Sequence, residues 1–128
     1  MKRIVVSFLL LISLCSLTFA QQSPMKISGA EKHDITLTDA KMMTQKFQST
    51  MSTDSLRAGL FGRGIIDKIL AQPGVKGLRI YNAKKNDGSF TFVIAGVDST
   101  GTDLKGGMLG EDIYPCPPYC GLSSELQK

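Results

Sequence analysis

The 128-residue chain has no tryptophan, a single histidine, three cysteines and 7% aromatic residues. With His33 alone, no Ser-His-Asp set can be assembled with a placed base, and His33 sits in a polar stretch with no carboxylate partner in view. Two thiols and one imidazole fall short of the four ligands that structural zinc takes. The Gly-x-x-x-x-Gly-Lys spacing of a phosphate loop is absent, and no strand is expected before Phe61-Gly-Arg-Gly64. Its glycines instead suit close packing at a helix start. Asp98, Asp103, Glu111 and Asp112 lack the spacing of a calcium loop and read as solvated turn acids. No internal repeat is present. No catalytic, cofactor-binding or resident metal residue is assigned, no cofactor is expected, and an enzymatic role has little support.

Long apolar runs are also missing, except at the start. Lys2 and Arg3 precede an apolar stretch from Ile4 to Phe19, and Thr18-Phe19-Ala20 offers the small residues a signal peptidase reads. The run is short of the roughly 20 apolar residues that span a bilayer, and polar chain follows at once. Residues 1–20 are therefore expected to be a signal peptide cleaved near Ala20. Lipid modification of Cys15 is disfavoured because the residue before it, Leu14, is large. Cleavage would leave residues 21–128, a length suited to one domain with a modest core and without a transmembrane segment. Without Lys2 and Arg3 the basic count falls from 15 to 13 against 11 acidic residues, so the net charge drops from +4 to +2. That balance demands neither nucleic acid nor an anionic membrane as partner. The expected address is the periplasm or the exterior.

What is present is a strong hairpin pattern. Two strand-prone runs, Val75–Tyr81 and Phe90–Val97, flank Asn86-Asp87-Gly88. Leu78 and Ile80 share one face, with Arg79 and Tyr81 on the other. Phe90, Phe92 and Ile94 alternate with Thr91, Val93 and Ala95. A hairpin with so large an apolar face needs a cover.

Helices supply it. Thr36 with Asp39 three residues later is close to a capping box, and Leu37, Ala40, Met43, Phe47 and Met51 recur at helical spacing. These predict a helix over about 37–51, with Lys41, Gln45, Lys46 and Gln48 outward and its methionines filling core. Ser52–Ser55 breaks it, and Leu56–Phe61 reads as a helical turn or an irregular link. A second helix carries Phe61, Ile65, Ile66, Ile69 and Leu70, and Gln72-Pro73-Gly74 stops it. Met108-Leu109 and Ile113-Tyr114 offer a third strand, and Met25-Lys26-Ile27 an edge strand.

The expected architecture is α+β: two helices packed on one face of an antiparallel hairpin, then an irregular tail bearing cysteines. Residues 21–34 form a loose arm, 35–114 the domain and 115–128 the Pro/Cys-rich tail.

Cys116-Pro-Pro-Tyr-Cys120 is the one constellation with chemical potential. An even cysteine pair in an exported chain favours a disulfide, here a short staple whose prolines limit the loop's freedom. The run also looks like the Cys-Pro-Tyr-Cys of glutaredoxins with one residue inserted, but no βαβ pattern precedes it and Pro117-Pro118 opposes a helix start. Cysteines four apart resemble the copper site of Sco-type assembly proteins, which add a downstream histidine that this chain lacks. The alternative to a staple is thus a thiol-active protein using Cys116 and Cys120 for copper or zinc binding or for disulfide exchange.

Taken together, Phe61-Gly-Arg-Gly-Ile-Ile-Asp-Lys-Ile-Leu-Ala-Gln-Pro-Gly74, Gly77-Leu-Arg-Ile-Tyr81, Gly96-Val-Asp98, Gly101-Thr-Asp103 and the terminal Pro-Cys-Pro-Pro-Tyr-Cys120 resemble an uncharacterised family of small exported Bacteroidetes-type proteins. The likeness runs from Ile35 to Gly121. It implies an established domain and a Gram-negative envelope address, and no activity. The functional expectation is a non-catalytic exported binding module for an unknown protein or small molecule. Its contact surface would be the hairpin edge or the proline-rich tail.

Overall fold

The structure, a computed structural model, describes residues 25–127. The expected signal peptide with its cleavage near Ala20, and Cys15, fall outside the described residues. Among these residues two helices and five strands follow in the order α1 (Leu37–Gln48), β1 (Ala58–Leu60), α2 (Arg63–Leu70), β2 (Gly77–Lys84), β3 (Phe90–Val97), β4 (Leu109–Gly110) and β5 (Tyr114–Cys116). The class is α+β, as the sequence indicates. Among the described residues no helix is long and apolar enough to cross a membrane.

The hairpin is the frame. β2 and β3 pair antiparallel over their whole length, with Ile80 opposite Ile94 and Asn82 opposite Phe92. The turn works as its residues require. Gly88 takes a φ of 84°, its N–H donates to the Lys85 carbonyl, and the Asp87 carboxylate accepts from both Ser89 N–H and Ser89 Oγ. One sheet face carries Leu78, Ile80, Asn82, Phe92, Ile94 and Gly96, and the opposite face carries Arg79, Tyr81, Thr91, Val93 and Ala95.

β4 adds a third strand beside β3, pairing Gly110 with Ile94 and Leu109 with Ala95. Of the two offered segments only the first joins this sheet. Tyr114 instead opens β5, which pairs with β1 in a separate two-stranded ribbon, Ala58 opposite Cys116 and Leu60 opposite Tyr114. The Leu56–Phe61 link is therefore partly strand, and Pro115 and Cys116, at the head of the tail, are strand too. Neither half of the ribbon shows a period-2 run, because each is three residues long.

The most fully enclosed side chains lie between α2 and β3–β4, while Ala95 and Val97 on β3 and Ile113 and Cys116 near the ribbon are also buried. Ile69 and Ile94 are fully enclosed, and burying an isoleucine completely stabilises by about 1.5–3 kcal/mol. The approach is close because two glycines allow it. A Cβ on Gly110 would stand 2.7 Å from Ile94 Cγ1 and 2.9 Å from Ile65 Cγ1, and one on Gly96 2.7 Å from Val75 Cγ2. Gly74, at φ 85°, ends the turn after α2 as Pro73-Gly74 indicated.

The first helix differs from expectation in extent and in cover. It stops at Gln48, since the hydroxyls of Ser49 and Thr50 take the carbonyls of Lys46 and Phe47 at 2.7 Å each. Asp39 does not reach back to the backbone of Thr36; it accepts from the Thr36 hydroxyl at 2.7 Å while Thr36 Oγ1 accepts from Asp39 N–H. Leu37, Met42, Met43 and Phe47 remain exposed, so the methionines of this helix are not core, Met51 beyond its end being half-buried. Its hydrophilic side is the one that finds partners: Lys41 Nζ lies 3.3 Å from Glu125 Oε2, and Gln48 Nε2 donates to the Leu126 carbonyl at 2.8 Å. Hydrophobic spacing identifies an apolar stripe without naming what covers it, and α2 with the turn after it already covers the sheet at Gly96, through Ile69 and Val75.

Candidate functional site

Two places merit a functional reading: the disulfide loop and the outer edge of the hairpin. In the loop, Cys116 and Cys120 are joined by a disulfide with Cα atoms 4.8 Å apart. The Cys116–Pro117 and Pro117–Pro118 peptides are cis. Cys116 sits in β5, is only 2% exposed, and its carbonyl accepts from Arg57 N–H at 2.8 Å. Tyr119 N–H closes the loop onto the Pro115 carbonyl, and the Tyr119 ring meets Tyr114 edge-on. The bridge therefore ties the ribbon strand to the turn after it. Bonded to each other, the sulfurs are not free thiolates. Among the described residues no group of three or more His, Cys, Asp or Glu is placed to hold a metal ion.

The other residues weighed for chemistry go to structural partners. The Phe61–Gly64 stretch does follow a strand, β1, but a Cβ on Gly62 or Gly64 would meet nothing within 4 Å, so these glycines do not serve close packing, and Arg63 pairs with Asp67 one turn on, at 2.9 Å in solvent. The turn acids do not gather. Asp98 caps its own turn by accepting from the Thr100 hydroxyl and from Thr100 and Thr102 N–H, which hold its carboxyl below the ordinary range. Asp103 takes Arg79 at 2.6 Å and the Tyr81 hydroxyl, while Glu111 and Asp112 both face Lys85. The Asp112 contact, chiefly, raises the Lys85 pKa. Nothing in the spacing of Arg79 and Asp103, 24 residues apart, signals that clamp.

The hairpin edge is the less ordinary feature. β2 ends the sheet order β2-β3-β4, so among the described residues one of its sides has no strand beside it. The Lys85 N–H donates to the Ser89 carbonyl, and the unbroken register from there directs the odd-numbered residues of β2 towards β3. The backbone groups of Leu78, Ile80, Asn82 and Lys84 then point away from the sheet. Among the described residues nothing bonds them from that side. Ile80 is 64% exposed directly over this row, and Leu78 36%.

Each end of the row meets a groove. Beyond Asn82 a groove of about 550 Å³ opens between β3 and the end of α1, walled by Phe47, Met51, Leu56, Phe90 and Phe92. At the start of β2 the arm runs alongside, leaving a second groove of about 460 Å³ that includes Lys26, Glu31, His33 and Leu78. The described residues of the arm, Met25-Lys26-Ile27 included, make no strand there; the arm is tied by Ile27 N–H to the Ser99 carbonyl at 2.8 Å. Its turn is organised by Glu31, which accepts from Ser28 N–H, Ser28 Oγ and Gly29 N–H, and these bonds, the Ser28 amide foremost, lower its pKa to about 2.

No protein-family model matches the chain, and no curated protein or solved structure compared with it gives a significant match. The resemblance to the exported Bacteroidetes-type family thus rests on the quoted motifs alone.

Proposed function

We propose that this chain is an exported, non-catalytic interaction module of a Gram-negative envelope, working in the periplasm or outside the cell. Its contact surface is the outer side of β2, and its tail is held by the Cys116–Cys120 staple. The observation that carries this reading is the unpaired backbone of Leu78, Ile80, Asn82 and Lys84 beneath an exposed Ile80. A strand edge of eight residues is a ready template for another chain, and natural sheets usually blunt such edges. The near-complete burial of Cys116 supports the staple over thiol exchange at that sulfur, Cys120 being half-buried.

Two measurements test this. Mass spectrometry of protein recovered from the producing cell should find the chain beginning at Gln21; an intact Met1 terminus removes the export assignment. A photocrosslinking residue at Ile80 should join one defined partner in the native compartment, and the same residue at Lys105 should not. Absence of any adduct at Ile80 contradicts the interaction reading.

A further inference from the structure

The open row of β2 also has a chemical character, which specifies its occupant. The N–H and C=O groups of Leu78, Ile80, Asn82 and Lys84 offer a ladder about 20 Å long, at roughly 3.4 Å per residue. A residue placed opposite Asn82 in an added strand would stand on the same face as the groove walled by Phe47 and Phe92. Cations frame the row. Lys84 and Lys76 stand at its two ends, with Lys26 beside the second, and among the described residues none of the three has an acidic partner. The acid on that side, Glu31, is already engaged by three donors of its own turn.

We infer that the edge of β2 binds an extended segment of a partner protein, antiparallel, with acidic residues at both ends and an aromatic or large aliphatic residue facing the Phe47–Phe92 groove. The inference rests on the interaction reading above and names its ligand class. Main-chain bonds supply affinity in such strand addition, and the side-chain groove supplies selectivity. A second copy of this chain fits less well. Centred on Ile80, a self-pair sets Lys84 of each copy against Lys76 of the other, and directly opposed like charges destabilise a sheet.

The test uses acetyl-Glu-Thr-Phe-Thr-Val-Thr-Val-Glu-amide as probe, with amide spectra of the purified protein. The expected result is slowed exchange at Leu78, Ile80, Asn82 and Lys84, with affinity falling as salt rises. A peptide with both Glu replaced by Lys should bind at least tenfold more weakly, and one with Ser for Phe likewise. Ile80→Pro should abolish binding yet leave the fold intact, because that N–H points outward and takes no part in the β2–β3 ladder. Lys84→Glu, a surface change, should weaken the acidic peptide and narrow its advantage over the lysine peptide, Lys76 and Lys26 still facing the other end. Equal binding of those two peptides at the edge overturns the acidic class and leaves strand addition standing. No binding of the acidic peptide, while Ile80 still crosslinks a partner in the cell, overturns this inference alone; loss of both overturns the interaction reading as well. Concentration-dependent protection of the same amides without peptide, with a doubled sedimentation mass, assigns the edge to a second copy and overturns it too.

Discussion

Gly110 shows how much of this fold turns on single atoms. Its missing side chain lets β4 lie against Ile94 and Ile65, and a methyl there would meet both within 3 Å. Gly110→Ala should therefore destabilise by about 1–3 kcal/mol, the usual cost of overpacking. Gly77→Ala, at a position with open space around it, should change little, and urea unfolding of the two variants gives the comparison. The disulfide is the other residue-scale feature. Replacing Cys116 and Cys120 together by serine removes the constraint on a five-residue loop, which lowers stability by about 2 kcal/mol on the loop-entropy scale. That corresponds to a melting temperature lower by on the order of 10 °C, and an unchanged value would argue against a structural staple. At this scale the sequence was informative about the cysteine pair, since both lie within five residues. It was silent on Arg79 with Asp103 and on Lys85 with Asp112, because those partners meet only after the sheet has formed.

Between elements, local patterns were legible and their covers were not. Strand alternation, the Asp87-Gly88 turn and the Pro73-Gly74 stop all express backbone rules carried by neighbouring residues. The β1–β5 ribbon expresses none, so its strands passed as link and tail. The first helix has a clear apolar stripe, yet its polar side reaches Glu125 and Leu126 of the tail. Truncation after Gly121 should accordingly speed hydrogen exchange in α1 and leave the β2–β3 amides as they were; equal loss in both would place α1 within the core unit. The arm has its own pH signature. Folding lowers the Glu31 pKa, so ionised Glu31 holds its turn above the ordinary carboxylate value near 4.5 and releases it as pH falls through about 2. The amide shifts of Ser28 and Gly29 should titrate with a midpoint near 2. A midpoint near 4.5 would mean the turn does not form in solution.

Across the whole molecule the distribution of apolar surface is uneven. Enclosed isoleucines are concentrated where α2 crosses β3 and β4, whereas Ile80, Phe47 and Phe90 are all left more than half exposed. Single exposed apolar residues are ordinary, but here they lie along a strand with an unpaired side and beside a groove. The hairpin first reads as core and the edge as a remainder. The register shows that the two are one strand with different duties on its two sides: odd-numbered residues of β2 hold the sheet, and the backbone of the even-numbered ones faces outward, unbonded among the described residues.

Hydrogen exchange of the free protein, resolved residue by residue along β2, tests that division most directly. The amides of Arg79, Tyr81 and Ala83 should be strongly protected, and those of Leu78, Ile80 and Asn82 should exchange at least tenfold faster. Uniform protection along the strand would mean that the edge is already covered, and would contradict the open surface on which the proposed function depends.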